Sequence, residues 1–167
     1  IPGTGVGMEL KPVSTNEMAG LIEALAAEPF HGKADLPILA DRLQMEADEL
    51  FHLAEALQLL RLASLSEGDL ILSEAGKTFA GFGTDDRKKL FSQHLLAYVP
   101  IIGLIRRVLD ERPTHTAPTA RFRQELEDYM SEEYAEETLD AVIAWARYAE
   151  LFAYDENAEL FSLENPQ

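Results

Sequence analysis

Cysteine is absent from this 167-residue chain, which excludes a disulfide scaffold, cysteine-ligated zinc and thiol catalysis. The absence suits a reducing cytoplasm. Basic residues are scarce too: 14 Lys and Arg stand against 30 Asp and Glu, a formal net charge of −16. Such a surface repels nucleic acid and anionic lipid, because phosphate is held by clustered Lys and Arg. Long apolar runs are also missing. The most apolar, Leu95 to Ile105 (LLAYVPIIGLI), falls short of the ~20 residues that cross a bilayer. Residues 1–11 lack a basic stretch followed by an apolar core, so no secretory signal is visible. The chain opens on Ile1 rather than Met, which fits a processed product or an excised domain.

What is present is a hydrophobic content of 47%, enough for a globular interior. The length suits one ordinary domain or two small ones, since domains run to ~100–150 residues. Residues 1–13 hold three glycines and two prolines without an apolar period, and are expected to form a linker. Gly3-Thr4-Gly5-Val6-Gly7 lacks the Gly-Lys-Ser/Thr that a phosphate loop requires, so the linker reading stands. Ser14 to Glu17 fits a capping box ahead of Met18, Leu21, Ile22 and Leu25, a helical stripe ended by Pro29. Asp35 and Pro37 open a second helix, and a third buries Leu50, Leu53, Leu57 and Leu60.

Short strands are expected at Leu62–Leu65 and Leu70–Leu72 around Ser66-Glu67-Gly68-Asp69, followed by a helix capped by Ser73. Helix then runs from Thr84 to about Arg112, broken at Pro100. A loop from Arg112 to Pro118 precedes helices over Thr119–Tyr129 and from Ser131 onward, the latter with Leu139, Val142, Ile143 and Ala146 inward. A second hairpin is expected at Leu151–Tyr154 and Leu160–Leu163, and residues 164–167 are expected to fray. Helix followed by hairpin thus occurs twice, and matching Leu62 to Ala149 and Leu65 to Phe152 superposes the two. The expected fold is mainly α with two small β-hairpins: tandem winged-helix-like units at 14–83 and 84–163, joined by a central kinked helical segment.

A winged helix invites a DNA-binding reading, in which the third helix carries Arg, Lys, Asn or Gln to base edges. Here Asp48–Arg61 holds three acids and one base, and Ser131–Tyr148 holds Glu132, Glu133, Glu136, Glu137 and Asp140 against Arg147. Neither hairpin turn contains Lys or Arg, so nucleic acid is disfavoured. The basic groups Arg87-Lys88-Lys89, Arg106-Arg107 and Arg121 with Arg123 read as a solvated face balancing nearby acids, or as a docking site if they converge. His31, His52, His94 and His115 show no metal-ligand spacing, and His52 with Glu55 reads as a solvent-facing pair. No acid–base or nucleophile constellation stands out, so no catalytic, cofactor or metal residue is expected. Leu95–Ile105 reads first as a packed central helix. Its alternative is a partner interface of Leu95, Tyr98, Ile102, Ile105, Arg106 and Arg107. Trp145, Tyr148 and Phe152 read as core.

Five stretches carry a family resemblance: VSTNEMAGLIEAL, DLPILADRLQMEADELFHLAEALQLL, GDLILSEAGKTFA, DRKKLFSQHLLAYVPIIGLIRRVLDERP and AVIAWARYAELFAYDENAELFSL. Together they span Val13 to Leu163, and this text resembles the C-terminal AAA-associated domain. That domain is appended to ATP-binding subunits of bacterial ABC transporters of the nitrate, sulfonate, taurine and bicarbonate type. The resemblance implies a domain that follows an ATPase domain and carries no catalytic residues of its own. No phosphate loop or ABC signature occurs here, so ATP and Mg are expected only in that upstream domain. The implied partners are the ATPase domain, the permease complex and a second copy of the chain, at a cytoplasmic place peripheral to the inner membrane. Competing readings are an acidic winged-helix module for protein partners in transcription or signalling and, against the charge, a DNA-binding regulator.

Overall fold

The structure is a computed structural model that describes residues 5–163. The expected fraying of residues 164–167, and the first four residues of the expected linker, lie outside the described residues. Two units divide the chain, Val13–Leu90 and a second that joins residues 5–12 to residues 91–163.

In the first unit, Ser14 accepts a hydrogen bond from the Glu17 N–H at 3.2 Å and starts α1 (Thr15–Ala26). Met18, Leu21, Ile22 and Leu25 are buried, as their spacing predicts. β1 (Lys33–Asp35) leads into α2 (Leu36–Leu43), which Asp35 caps by accepting from the Ile38 N–H at 3.1 Å. α3 (Ala47–Leu59) buries Leu50, Leu53 and Leu57. β2 (Ala63–Ser66) and β3 (Asp69–Leu72) pair through a tight turn in which Glu67 and Gly68 take φ of 52° and 84°. Ser73 then caps α4 (Glu74–Gly81), accepting from the Gly76 N–H at 3.0 Å. Gly76 packs so closely on the Leu62 carbonyl oxygen that a methyl group would overlap it.

α5 (Thr84–Tyr98) crosses from the first unit into the second, and Val99 and Pro100 end it where a proline removes the next helical hydrogen bond. In the second unit α6 (Pro100–Glu111) buries Ile101, Ile102, Ile105 and Leu109. β4 (Thr116–Pro118) and α7 (Thr119–Glu127) follow. α8 (Glu132–Tyr148) is capped by Ser131, and its Leu139, Val142, Trp145 and Ala146 are buried while Ile143 is half-buried. β5 (Ala153–Asp155) and β6 (Leu160–Ser162) complete the unit. Phe161 of β6 meets Phe122, Phe152 and Tyr154 at ring separations of 5.5, 5.3 and 4.7 Å, a small aromatic core.

The fold is mainly helical, but each expected hairpin is part of a three-stranded antiparallel sheet, ordered β1-β3-β2 and β4-β6-β5. The edge strands β1 and β4 were not expected. Each is three residues long with a single buried alanine, Ala34 or Ala117, too short to show a period. Residues 8–12, expected as linker, are held to α8. Leu10 is buried, its N–H donates to Thr138 Oγ1 at 3.2 Å, and Lys11 pairs with Glu137 at 3.1 Å.

The two units repeat one backbone pattern. Leu62 N–H donates to Leu57 O at 2.9 Å, and Leu151 N–H to Ala146 O at 3.0 Å, just after Arg61 and Glu150 at φ of 62° and 59°. Leu36 N–H donates to Gly68 O and Thr119 N–H to Glu159 O, both at 3.0 Å. Leu65 faces Leu70 as Tyr154 faces Phe161. Leu62 therefore matches Leu151, and Leu65 matches Tyr154, two positions later than the expected alignment. The cause is the helix ending: both third helices stop at a left-handed residue that is not glycine, so the sequence carries no mark of it.

Candidate functional site

The expected interface residues divide by burial. Leu95, Ile102 and Ile105 are buried, so the apolar half of that surface is core rather than docking face. The amphipathic spacing on α6 serves the interior, as the packed-helix reading held. Tyr98 is 37% exposed and Arg107 is exposed, while Arg106 is half-buried and donates from Nη1 to Leu151 O at 2.8 Å.

Several basic side chains are absorbed within their own units. Arg87 is held by Glu23 at 2.6 Å and by the carbonyls of Phe79 and Ala80 at 2.9 and 3.0 Å, closing the end of α4. Arg123 pairs with Glu136 at 3.0 Å and Arg121 with Glu125 at 3.9 Å. The outward faces of the third helices stay negative. Asp48, Glu49 and Glu55 are exposed on α3, and Glu132, Glu133, Glu136 and Asp140 on α8.

Two carboxyls of this kind are held above their ordinary value. For Asp140 the leading cause is desolvation, followed by Glu136 and Glu137, with Arg123 opposing. For Glu17 desolvation leads, followed by its hydrogen bond and charge contact with Glu49. His52 lies 3.7 Å from Glu55, the partly exposed pair that their spacing predicts, and His115 Nδ1 meets Leu109 O at 2.9 Å. Among the described residues no group of His, Asp and Glu is arranged to hold a metal ion.

Among the hollows on the second unit, two lie beside Arg147. One, of about 350 Å³, lies along α8 beside Thr119, Arg123, Asp140, Arg147 and Tyr154. The other, of about 520 Å³, lies at the base of the β5–β6 hairpin, walled by Arg106, Arg147, Glu150, Leu151, Phe152, Ala153, Tyr154 and Leu163. Arg147 reaches across this hairpin, donating to Tyr154 O at 2.7 Å and Glu156 at 3.2 Å. Sequence reading placed Arg106 beside Arg107 as a surface pair and missed this cavity. The available signal was helical position: Arg106 falls on the α6 face of Ile102, Ile105 and Leu109, a charge within an apolar stripe.

Residues 37–155, from α2 through β5, match the C-terminal AAA-associated domain. The chain belongs to that family. It is an accessory domain of ABC-type proteins. Comparison with curated proteins and with solved structures found no match. The matched segment of the AAA-associated domain holds α3, α8, the turn of the first hairpin and the β5 wall of the larger cavity. No helix among its described residues is long and apolar enough to cross a membrane.

Proposed function

We propose that this AAA-associated domain is a non-catalytic regulatory appendage of the ATP-binding subunit of a bacterial ABC importer, of the nitrate, sulfonate, taurine or bicarbonate type. The family match over residues 37–155 carries this reading. The domain acts through contact with the ATPase domain and permease, by pairing with its own copy, or by sensing a cytosolic ligand. ATP and Mg belong to the ATPase domain, and the chain sits on the cytoplasmic side, at the membrane only through the permease.

In this reading each unit is a winged helix. The order helix, strand, helix, helix, hairpin, with the first strand beside the second hairpin strand, supports it in both units. The acidic outer faces of α3 and α8 favour a protein partner over nucleic acid. The same faces support a second reading, a winged-helix module that binds protein partners in transcription or signalling.

The test is deletion of this region from the parent transporter, reconstituted in vesicles. ATP hydrolysis is expected to persist while control of transport by substrate or cytosolic ligand is lost. Abolished hydrolysis, or unchanged control, would count against the proposal. A parent reading frame without a Walker motif would leave the protein-module reading in its place.

A further inference from the structure

We propose that the cavity at the base of the β5–β6 hairpin binds a small polyatomic oxyanion through Arg106 and Arg147. In a chain of net charge −16, an inward arginine is expected to meet a carboxylate. Of the half-buried arginines, Arg87, Arg121 and Arg123 each do so, and Arg106 has no carboxylate partner among the described residues. Among the described residues its side chain has one hydrogen bond, from Nη1 to Leu151 O at 2.8 Å, and its enclosed Nε–H donates to nothing. A half-buried guanidinium without a counter-ion is costly, and an anion entering from the cavity relieves that cost.

The donors are already placed. Leu151 O holds Arg106 and Tyr154 O holds Arg147, so the two ends of one short segment fix both guanidinium groups on the wall of the same cavity. With Nη1 engaged and Nε enclosed, Arg106 offers Nη2, and Arg147 offers the Nη hydrogens not spent on Tyr154 and Glu156. Separate N–H donors on two guanidinium groups suit the several oxygens of nitrate, bicarbonate, sulfate or phosphate better than a bare halide. About 520 Å³ of open space admits any of these. Among the described residues Glu150 is the one acid on this wall, and its charge keeps affinity modest and salt-sensitive. The inference goes beyond the accessory-domain reading, since binding is a property of this chain alone.

The experiment titrates the full chain with sodium nitrate, bicarbonate, sulfate and phosphate, at ionic strength held constant with chloride. Thermal midpoint and the fluorescence of Trp145, two residues before Arg147, are the readouts. At least one oxyanion is expected to give a saturable response. Arg106→Gln is expected to weaken it about tenfold, as for the loss of one charge-assisted hydrogen bond, while Arg107→Gln leaves it unchanged. If Arg106→Gln fails to fold by circular dichroism, Arg147→Gln takes its place with the same expected weakening. No response beyond the chloride control, or equal affinity in the wild type and the folded cavity variant, would overturn the proposal. Either result would leave the transporter reading standing.

Discussion

The backbone N–H of Leu10 donates to the side-chain oxygen of Thr138 across 3.2 Å, a buried contact between the segment before α1 and the middle of α8. Leu10 and Thr138 are 4% and 0% exposed, so no water can replace either partner. Thr138→Val keeps the shape and removes the acceptor, stranding a buried N–H. It is expected to destabilise the second unit by about 1–3 kcal/mol in urea unfolding. Thr138→Ser, which retains the hydroxyl, is expected to recover most of that loss.

Two helix glycines are predicted to respond oppositely to alanine. At Gly76 in α4 the added methyl meets the Leu62 carbonyl oxygen and, at 3.0 Å, Leu72 Cδ2, so Gly76→Ala is strongly destabilising. A loss of more than about 1 kcal/mol is expected, as for overpacked sites. At Gly20 in α1 nothing lies within 4 Å, so Gly20→Ala is expected to raise stability by about 0.5–1 kcal/mol. Thermal midpoints of the two variants, measured side by side, check both.

Arg87 joins α5 to the end of α4 and to α1 through Phe79 O, Ala80 O and Glu23. Its side chain is only 17% exposed, so its partners lose hydrogen bonds that water replaces incompletely. Arg87→Ala is expected to lower unfolding stability by about 1–3 kcal/mol. Arg87→Lys should fall between, because an ammonium cannot reproduce the guanidinium's fork.

The raised carboxyl of Asp140 sets a direction for pH dependence. Burial and the neighbouring Glu136 and Glu137 make the folded chain bind this proton more tightly than the unfolded chain. Its favourable contribution is therefore full below the ordinary value of 3.8 and is lost as pH rises through the higher folded value. Asp140→Asn removes the charge and should stabilise the protein at neutral pH by up to about 0.5 kcal/mol, as for a surface site. The wild-type advantage of acidification over this window should shrink in the variant; a steeper loss would contradict the assignment.

Charge also predicts behaviour toward nucleic acid. With carboxylates exposed on α3 and α8, no retardation of duplex DNA is expected even at low salt. A retarded band that disappears with added salt would contradict this.

Much of the architecture was legible because it rests on local signals. Ser14, Asp35, Ser73 and Ser131 cap helices where their positions predict, and Pro100 divides α5 from α6. Ala34 and Ala117 gave no such signal, since a three-residue edge strand exists only by pairing with a distant strand. The run Leu95–Ile105 left two readings open for a related reason. An apolar run looks the same whether its helix faces solvent or core, and Leu95, Ile102 and Ile105 face the core.

By itself the sequence determined the acidity of the chain, the helix starts and the family, because charge, caps and motif text are additive along the chain. Tertiary structure decided which strands pair, how the two units correspond and where Arg106 ends up. Those outcomes depend on contacts between distant residues, such as the Leu151 carbonyl that turns an arginine of an apolar helix face onto a cavity wall.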